Sequence, residues 1–262
     1  MSSQLGDPVI SVAEHLNLSL GPMMDNLVSK PIKFRCPPEL AADLPRPTQA
    51  LLGLPNWFKA MPHMAFSALL SEEQMTVKKC PPFIDAMTYG FLMPLATDLH
   101  VENGTFSWEW DVPVGTLTGF QRAPIDFHDN NQVVGTPFYE EDSLLIKFIN
   151  FWTIELPPGY SLFITHPVNR QDLPFQTLTG LVDADRFNDN FIHFPASWRD
   201  AGFNGVLPKG TPVAQCLPIK RDAWDAQFGT IEGEAMDRQM ELTAAIVREK
   251  GIYRRNYRAP KR

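Results

Sequence analysis

The chain has few cysteines, no long apolar run and no surplus of positive charge, and each shortage removes a class of protein. Its three cysteines, Cys36, Cys80 and Cys216, are an odd number at wide spacing in 262 residues. They form neither a disulfide framework nor a paired CxxC zinc site, so all three are expected as buried thiols. The longest apolar stretches, residues 144–151 and 91–95, fall far short of the roughly 18 to 20 residues that a membrane span requires. The first six residues lack the basic start and apolar run of a secretory signal, which sets the expectation of a cytoplasmic protein. With 30 acidic against 23 basic residues and a net charge of −7, general nucleic-acid binding loses its electrostatic basis. Also missing are a GxxxxGK[ST] phosphate loop, a GxGxxG turn, an HExxH helix and a GxSxG elbow. The common nucleotide-fold, zincin and serine-hydrolase readings go with them.

Proline, by contrast, is abundant: 24 residues against 16 glycines. It interrupts helices and central strands, so the expectation is many short elements joined by stiff turns. A hydrophobic fraction of 44% and a charged fraction of 20% are those of a folded globular chain. Period-two or short apolar runs at residues 31–36, 105–112, 144–156, 160–165, 191–194 and 213–219 read as strands. In the second of these, Phe106, Trp108 and Trp110 alternate with polar residues, a stripe expected to pack in the core. One helix is expected over 233–250, where Ala235, Met236, Met240, Ala244 and Val247 fall near i, i+4, i+8 and i+11 and Gly251 stands as the stop. The last ten residues, 253–262, carry five basic side chains and no acid. They are expected as a solvated tail, the sharper alternative being an arm over an anionic ligand. The fold class is therefore mostly β, a compact double-sheet or jelly-roll-like domain over 31–232. An arm over 1–30 precedes it, and the helix and tail over 233–262 follow.

Polar residues concentrate in the second half of the chain. Pro158-Gly159-Tyr160 comes first, followed by His166-Pro167-Val168-Asn169-Arg170, then Gly180-Leu181-Val182-Asp183-Ala184-Asp185, then Gly210-Thr211-Pro212-Val213-Ala214-Gln215. This order resembles the trimeric dUTPase and dCTP deaminase superfamily, whose fold is a β-clip. The resemblance implies that Asp183 orients and activates a water for attack on a nucleotide phosphate, with Asp185 in support. A carboxylate suits that task because it can accept the water's proton. It further implies Mg²⁺ on the phosphates, phosphate contacts from Arg170 and from the Gln215 amide, and support for them from Asn169. It also implies sites built between three subunits of a homotrimer. In the family a Tyr directly follows the second Asp and packs on the sugar; here Arg186 holds that place and Phe187 comes one later. The basic turn departs from the family's Arg-Ser-Ser order, and the Gly-rich C-terminal motif is absent from the basic tail. With Cys80-Pro81-Pro82-Phe83 and Lys209-Gly210-Thr211-Pro212 included, the whole chain also resembles a family found in bacteria and tailed phages, which implies no activity.

Two further readings stand beside a phosphorylated small-molecule ligand. His128, His166 and His193, with Asp183 or Asp185, supply the imidazoles and carboxylate that iron or another divalent transition metal takes on a jelly roll. Alternatively, the chain is a binding or assembly module without catalysis, which its 11% aromatic content would suit.

Overall fold

Proline punctuation and period-two alternation do produce many short strands, and every pairing between the described strands is antiparallel. A computed structural model of the protein describes residues 29–110, 123–139 and 144–259. Nearly all of the arm expected over 1–30 lies outside the described residues, as does the end of the stretch at 105–112. The chain divides into two compact units. Of the described residues, the larger takes those within Ser29–Met61 and Asp85–Arg221, and the smaller those within Pro62–Ile84 and Asp222–Arg262.

In chain order the strands are β1 (Lys33–Arg35), β2 (Thr48–Gln49), β3 (Met64–Ser67), β4 (Glu72–Met75), β5 (Phe91–Pro94), β6 (Leu99–Glu102), β7 (Thr105–Ser107) and β8 (Ile125–Phe127). They continue as β9 (Leu144–Phe148), β10 (Thr153–Glu155), β11 (Tyr160–Thr165), β12 (Phe175–Thr177), β13 (Gly180–Val182), β14 (Phe194–Trp198), β15 (Gly205–Leu207) and β16 (Pro212–Lys220). The α-helices are α1 (Asn56–Ala60), α2 (Pro81–Thr88) and α3 (Glu234–Arg248).

The larger unit holds a 5-stranded sheet in the order β13-β11-β16-β5-β2 and a 4-stranded sheet in the order β12-β14-β9-β8. Two smaller sheets, β15-β6-β7 and β1-β10, complete it. One apolar cluster draws on both large sheets, with Met93, Leu162 and Ile164 from the first and Ile146, Phe148 and Phe194 from the second. Each such side chain, fully buried, contributes about 1.5–3 kcal/mol. Central β16 carries four consecutive buried residues, Val213, Ala214, Gln215 and Cys216, the mark of a strand covered on both faces. The aromatic stripe packs as expected. Phe106 meets Trp198 edge to face at 4.9 Å, and Trp110 meets Phe151 at 5.5 Å. Only Thr105–Ser107 of that stretch pairs as a strand, however.

The register of β11 positions everything that follows. Against β13 it aligns Leu162 with Val182; against β16 it aligns Tyr160 with Lys220 and Thr165 with Gln215. The two polar turns that flank β13 and β16 are thereby assigned to different ends of one strand.

In the smaller unit β3 and β4 form a hairpin, residues 222–232 have no regular secondary structure, and α3 spans 15 residues. The basic tail begins with a π-helical turn, Tyr253–Tyr257, where Arg255 pairs with Glu249 at 2.8 Å. Burial of all three thiols does not hold. Cys216 is buried and its pKa is pushed well up by desolvation, whereas Cys36 is half-buried and Cys80, placed just before the proline that opens α2, is exposed. Among the described residues no helix is long and apolar enough to cross a membrane.

Candidate functional site

At the start of β11 the chain gathers its carboxylates. Because Val182 pairs with Leu162, the next residue after β13 meets Ser161, whose hydroxyl donates to Asp183 Oδ1 at 2.7 Å. Asp185 turns back to accept the Gly159 backbone N–H at 2.8 Å, closing the turn in which Gly159 adopts φ 84°. Arg221, immediately beyond β16, is delivered to the same place by the pairing of Lys220 with Tyr160. Its guanidinium donates to Asp183 at 3.2 Å, to Asp185 at 2.8 Å and through its second arm to the other Asp185 oxygen. It also reaches the Tyr160 carbonyl at 3.0 Å. The Arg221 hydrogen bonds, with help from the Gly159 amide, hold the Asp185 carboxyl at about 2. A bidentate guanidinium on two carboxylates ties the strand end to the chain that leaves it. Phe187, next in the turn, leaves its ring exposed.

The other end of β11 carries the basic turn. Gln215 is buried; its side-chain carbonyl accepts the Val168 N–H at 2.9 Å, and its amide donates to the Ala86 and Tyr89 carbonyls at 3.0 and 2.7 Å. All of its bonds go to backbone, so it fastens the turn. Asn169 takes a left-handed conformation there, φ 61°, which Asn tolerates better than most side chains. His166 Nδ1 accepts the Thr177 N–H at 3.3 Å, and its Nε2 lies 2.9 Å from the Arg170 carbonyl. A backbone amide can only donate and a carbonyl can only accept, so the ring is neutral with its proton on Nε2. Burial lowers its pKa accordingly. Arg170 makes a forked pair with Asp172 at 2.9 Å, and Asp172 also accepts the Trp57 indole N–H at 3.2 Å.

Beside this turn opens a cleft of about 380 Å³ lined by His166, Arg170, Asp172, Gln176, Arg199 and Phe203, among others. Arg199 stands just past β14 and is exposed; it donates to the Gln176 side-chain carbonyl at 2.5 Å. Among the described residues that partner is a neutral amide, so the Arg199 charge is not cancelled as that of Arg170 is. Phe203 forms an apolar wall and packs edge to face on Trp198 at 5.7 Å. The Asp200 carboxylate caps the neighbouring turn through the Gly202 N–H.

The residues singled out from sequence thus fall into two groups. Asp183 and Asp185 sit together at one end of β11, while Asn169, Arg170, His166 and Gln215 sit at the other. Ser161 and Thr165, which mark the two ends, are separated by roughly 13 Å at about 3.3 Å per residue. The three histidines do not assemble. His193 lies beside Asn150, whose N–H it accepts at 3.2 Å, and His128 lies beside Leu145 at the opposite end of β9. His128 Nδ1 is 2.6 Å from the Gln132 carbonyl oxygen. Among the described residues no three His, Cys, Asp or Glu side chains converge as a metal-binding group, so the proposed histidine set is not brought together within one chain.

Arg221, Arg199, Gln176 and Phe203 were not singled out from sequence. Arg221 had a usable signal, since it directly follows the strand that must pair with the one led by Pro-Gly-Tyr. Arg199, after an alternating strand ending in Trp198, had none. Comparison with protein families and with curated proteins finds no match for the chain.

Proposed function

We propose that the larger unit binds a small phosphorylated molecule, of nucleotide size, in the cleft between the 166–174 turn and residues 199–203. The observation that carries the reading is Arg199, a guanidinium in a concave site whose bonded partner is a neutral amide. Such a fork, two to five donors in a plane, suits phosphate oxygens. The cleft volume of about 380 Å³ lies within the roughly 300–1,000 Å³ of small-ligand sites. Phe203 offers a face for a base or another flat group. The basic turn that a dUTPase-like core would use for phosphate, with Arg170, lines this same cleft, which favours a phosphate over other anions.

Binding is supported better than hydrolysis. The base implied by the dUTPase resemblance, Asp183, lies at the far end of β11 and already accepts from Ser161 and Arg221. Mg²⁺-assisted turnover on a dUTPase-like β-clip would need a second subunit to bring Asp183 to this cleft. The test is thermal unfolding with phosphate, pyrophosphate, and a panel of NTPs and dNTPs, each with and without Mg²⁺. A ligand at one hundred times its Kd adds about 2.7 kcal/mol, a clear rise in Tm, and Arg199→Ala should remove that rise. If no member of the panel raises Tm, or if Arg199→Ala leaves the rise intact, the reading fails.

A further inference from the structure

A second cleft opens in the larger unit where the proline-punctuated stretch after β1 passes Trp152. It measures about 510 Å³, and Phe34, Ala41, Pro47 and Trp152 make its walls mainly apolar, with Arg35, Cys36 and Arg46 beside them. These walls are fixed in advance. Leu40 and Leu44 anchor the stretch in an apolar cluster with Ala96, Ile149 and Phe151. The Trp152 indole N–H donates to the Pro45 carbonyl at 3.2 Å, and the Trp152 backbone is tied to the Asn150 side chain at 3.0 and 2.6 Å. Phe34 rests edge to face on Phe91 at 5.5 Å. Pro45 and Pro47 stiffen the chain on either side of Arg46.

The two guanidiniums here differ in their partners. Arg35 pairs with Glu155 at 3.0 Å and donates to the Asn188 carbonyl at 3.3 Å. Arg46 is exposed and, among the described residues, has neither a hydrogen bond nor an ion pair; its charge acts on the half-buried Cys36 thiol. With the indole N–H already bonded to Pro45, Trp152 offers a ligand ring carbon and no donor. One unmatched guanidinium beside apolar walls selects a ligand with a single negative charge and an apolar body. A carboxylate fits the guanidinium fork, whereas a phosphate dianion would leave acceptor oxygens without donors against carbon. The volume again lies within the roughly 300–1,000 Å³ of small-ligand sites. We propose that this cleft binds a small apolar monocarboxylate, its carboxylate on Arg46 and its body against Trp152 and Phe34. It shares no lining residue with the Arg199 cleft, so either site can stand without the other.

Titration calorimetry of the full chain with naphthoate and octanoate, each beside its neutral counterpart, naphthalenemethanol or octanol, tests this. The expected result is one-site binding of at least one carboxylate with a Kd of about 1 mM or tighter, as suits a ligand that small. The ratio of the two affinities reports whether the body taken is aromatic or aliphatic. The matching alcohol should bind at least about tenfold more weakly, because it leaves the Arg46 fork without its charged partner. Arg46→Ala should weaken the carboxylate by about the same factor while Tm without ligand stays at the wild-type value. Inorganic phosphate should not displace the carboxylate. Failure of both carboxylates to reach that affinity overturns the proposal. So does an alcohol that binds as well as its carboxylate, an affinity unchanged in Arg46→Ala, or displacement by phosphate.

Discussion

The two ends of β11 hold similar side chains and put them to different use. At the Tyr160 end one guanidinium, Arg221, is shared by two carboxylates and a backbone carbonyl, so the positive charge is spent on closing a turn. At the Thr165 end Arg170 is matched by Asp172, while Arg199 finds only an amide. Residue type does not separate the ends; the bonded partner of each guanidinium does. An arginine bonded to carboxylate is scaffold, and one in a cleft bonded to a neutral amide is a place for an anion. The predictions below press on that distinction, beginning with the scaffold under the cleft.

The largest effect is expected from Gln215→Leu. The side chain is buried and makes three bonds to backbone. Leu keeps the bulk but strands the Val168 N–H and the Ala86 and Tyr89 carbonyls, each at a cost of about 1–3 kcal/mol. Partial relaxation leaves a net loss of about 3 kcal/mol, read as a lower urea midpoint with an unchanged m-value. If Gln215 instead served chiefly as a ligand contact, the variant would unfold like wild type and lose binding alone.

His166 should show itself through pH. Burial lowers its pKa from the ordinary 6.5, so the folded state prefers the neutral ring while the unfolded chain takes up the proton. Stability from this group is therefore complete above about pH 6.5 and is lost as pH falls below it, until the folded pKa is reached. One proton sets a slope no steeper than about 1.4 kcal/mol per pH unit. His193 is shifted the same way by burial, so His166→Gln should flatten the dependence between pH 6.5 and 5 without abolishing it. An unchanged slope would mean that the Thr177 and Arg170 bonds do not fix the tautomer.

Much of the fold was legible because period-two patterning and proline are local signals. The strand expected at 160–165 is β11 itself, and those at 213–219 and 233–250 fall within two residues of β16 and α3. The grouping of site residues was less so. Asp183 and Gln215 belong to one ordered series of turns in the sequence, but antiparallel pairing sets the residue after β13 beside the start of β11 and Gln215 beside its last residue, and register is a long-range property that no local pattern carries. For the same reason the buried amide of Gln215 resembled a ligand contact. Whether a polar side chain serves backbone or solvent depends on neighbours such as Ala86 and Tyr89, more than 120 positions away.

At the paired end, acid is the probe. Asp185 sits at about 2 against an ordinary 3.8 because Arg221 and the Gly159 amide favour its charged form. Its contribution is present above about pH 3.8 and is lost as pH falls towards 2. Wild type should therefore lose more thermal stability across that window than Asp185→Asn, which is already without the charge. The effect is modest, because side-chain exposures of 52% for Asp183 and 31% for Arg221 leave the network open to screening by water and salt. Equal acid sensitivity in the two proteins would show that the clamp does not hold the turn.

The smallest change in stability should come from Arg199→Ala, within about 0.5 kcal/mol of wild type, as expected for an exposed side chain away from caps and core. That near-silence is what makes it informative. Arg221→Ala strips two carboxylates of their shared partner and should lower Tm in the absence of any ligand, whereas Arg199→Ala should leave Tm alone and erase only the rise produced by a phosphorylated ligand. Measured side by side by differential scanning fluorimetry, the two variants separate a charge used for folding from a charge kept for binding. Should Arg199→Ala destabilise the free protein as much as Arg221→Ala, the Gln176 bond would itself be scaffold, and the contrast between the two ends of β11 would vanish.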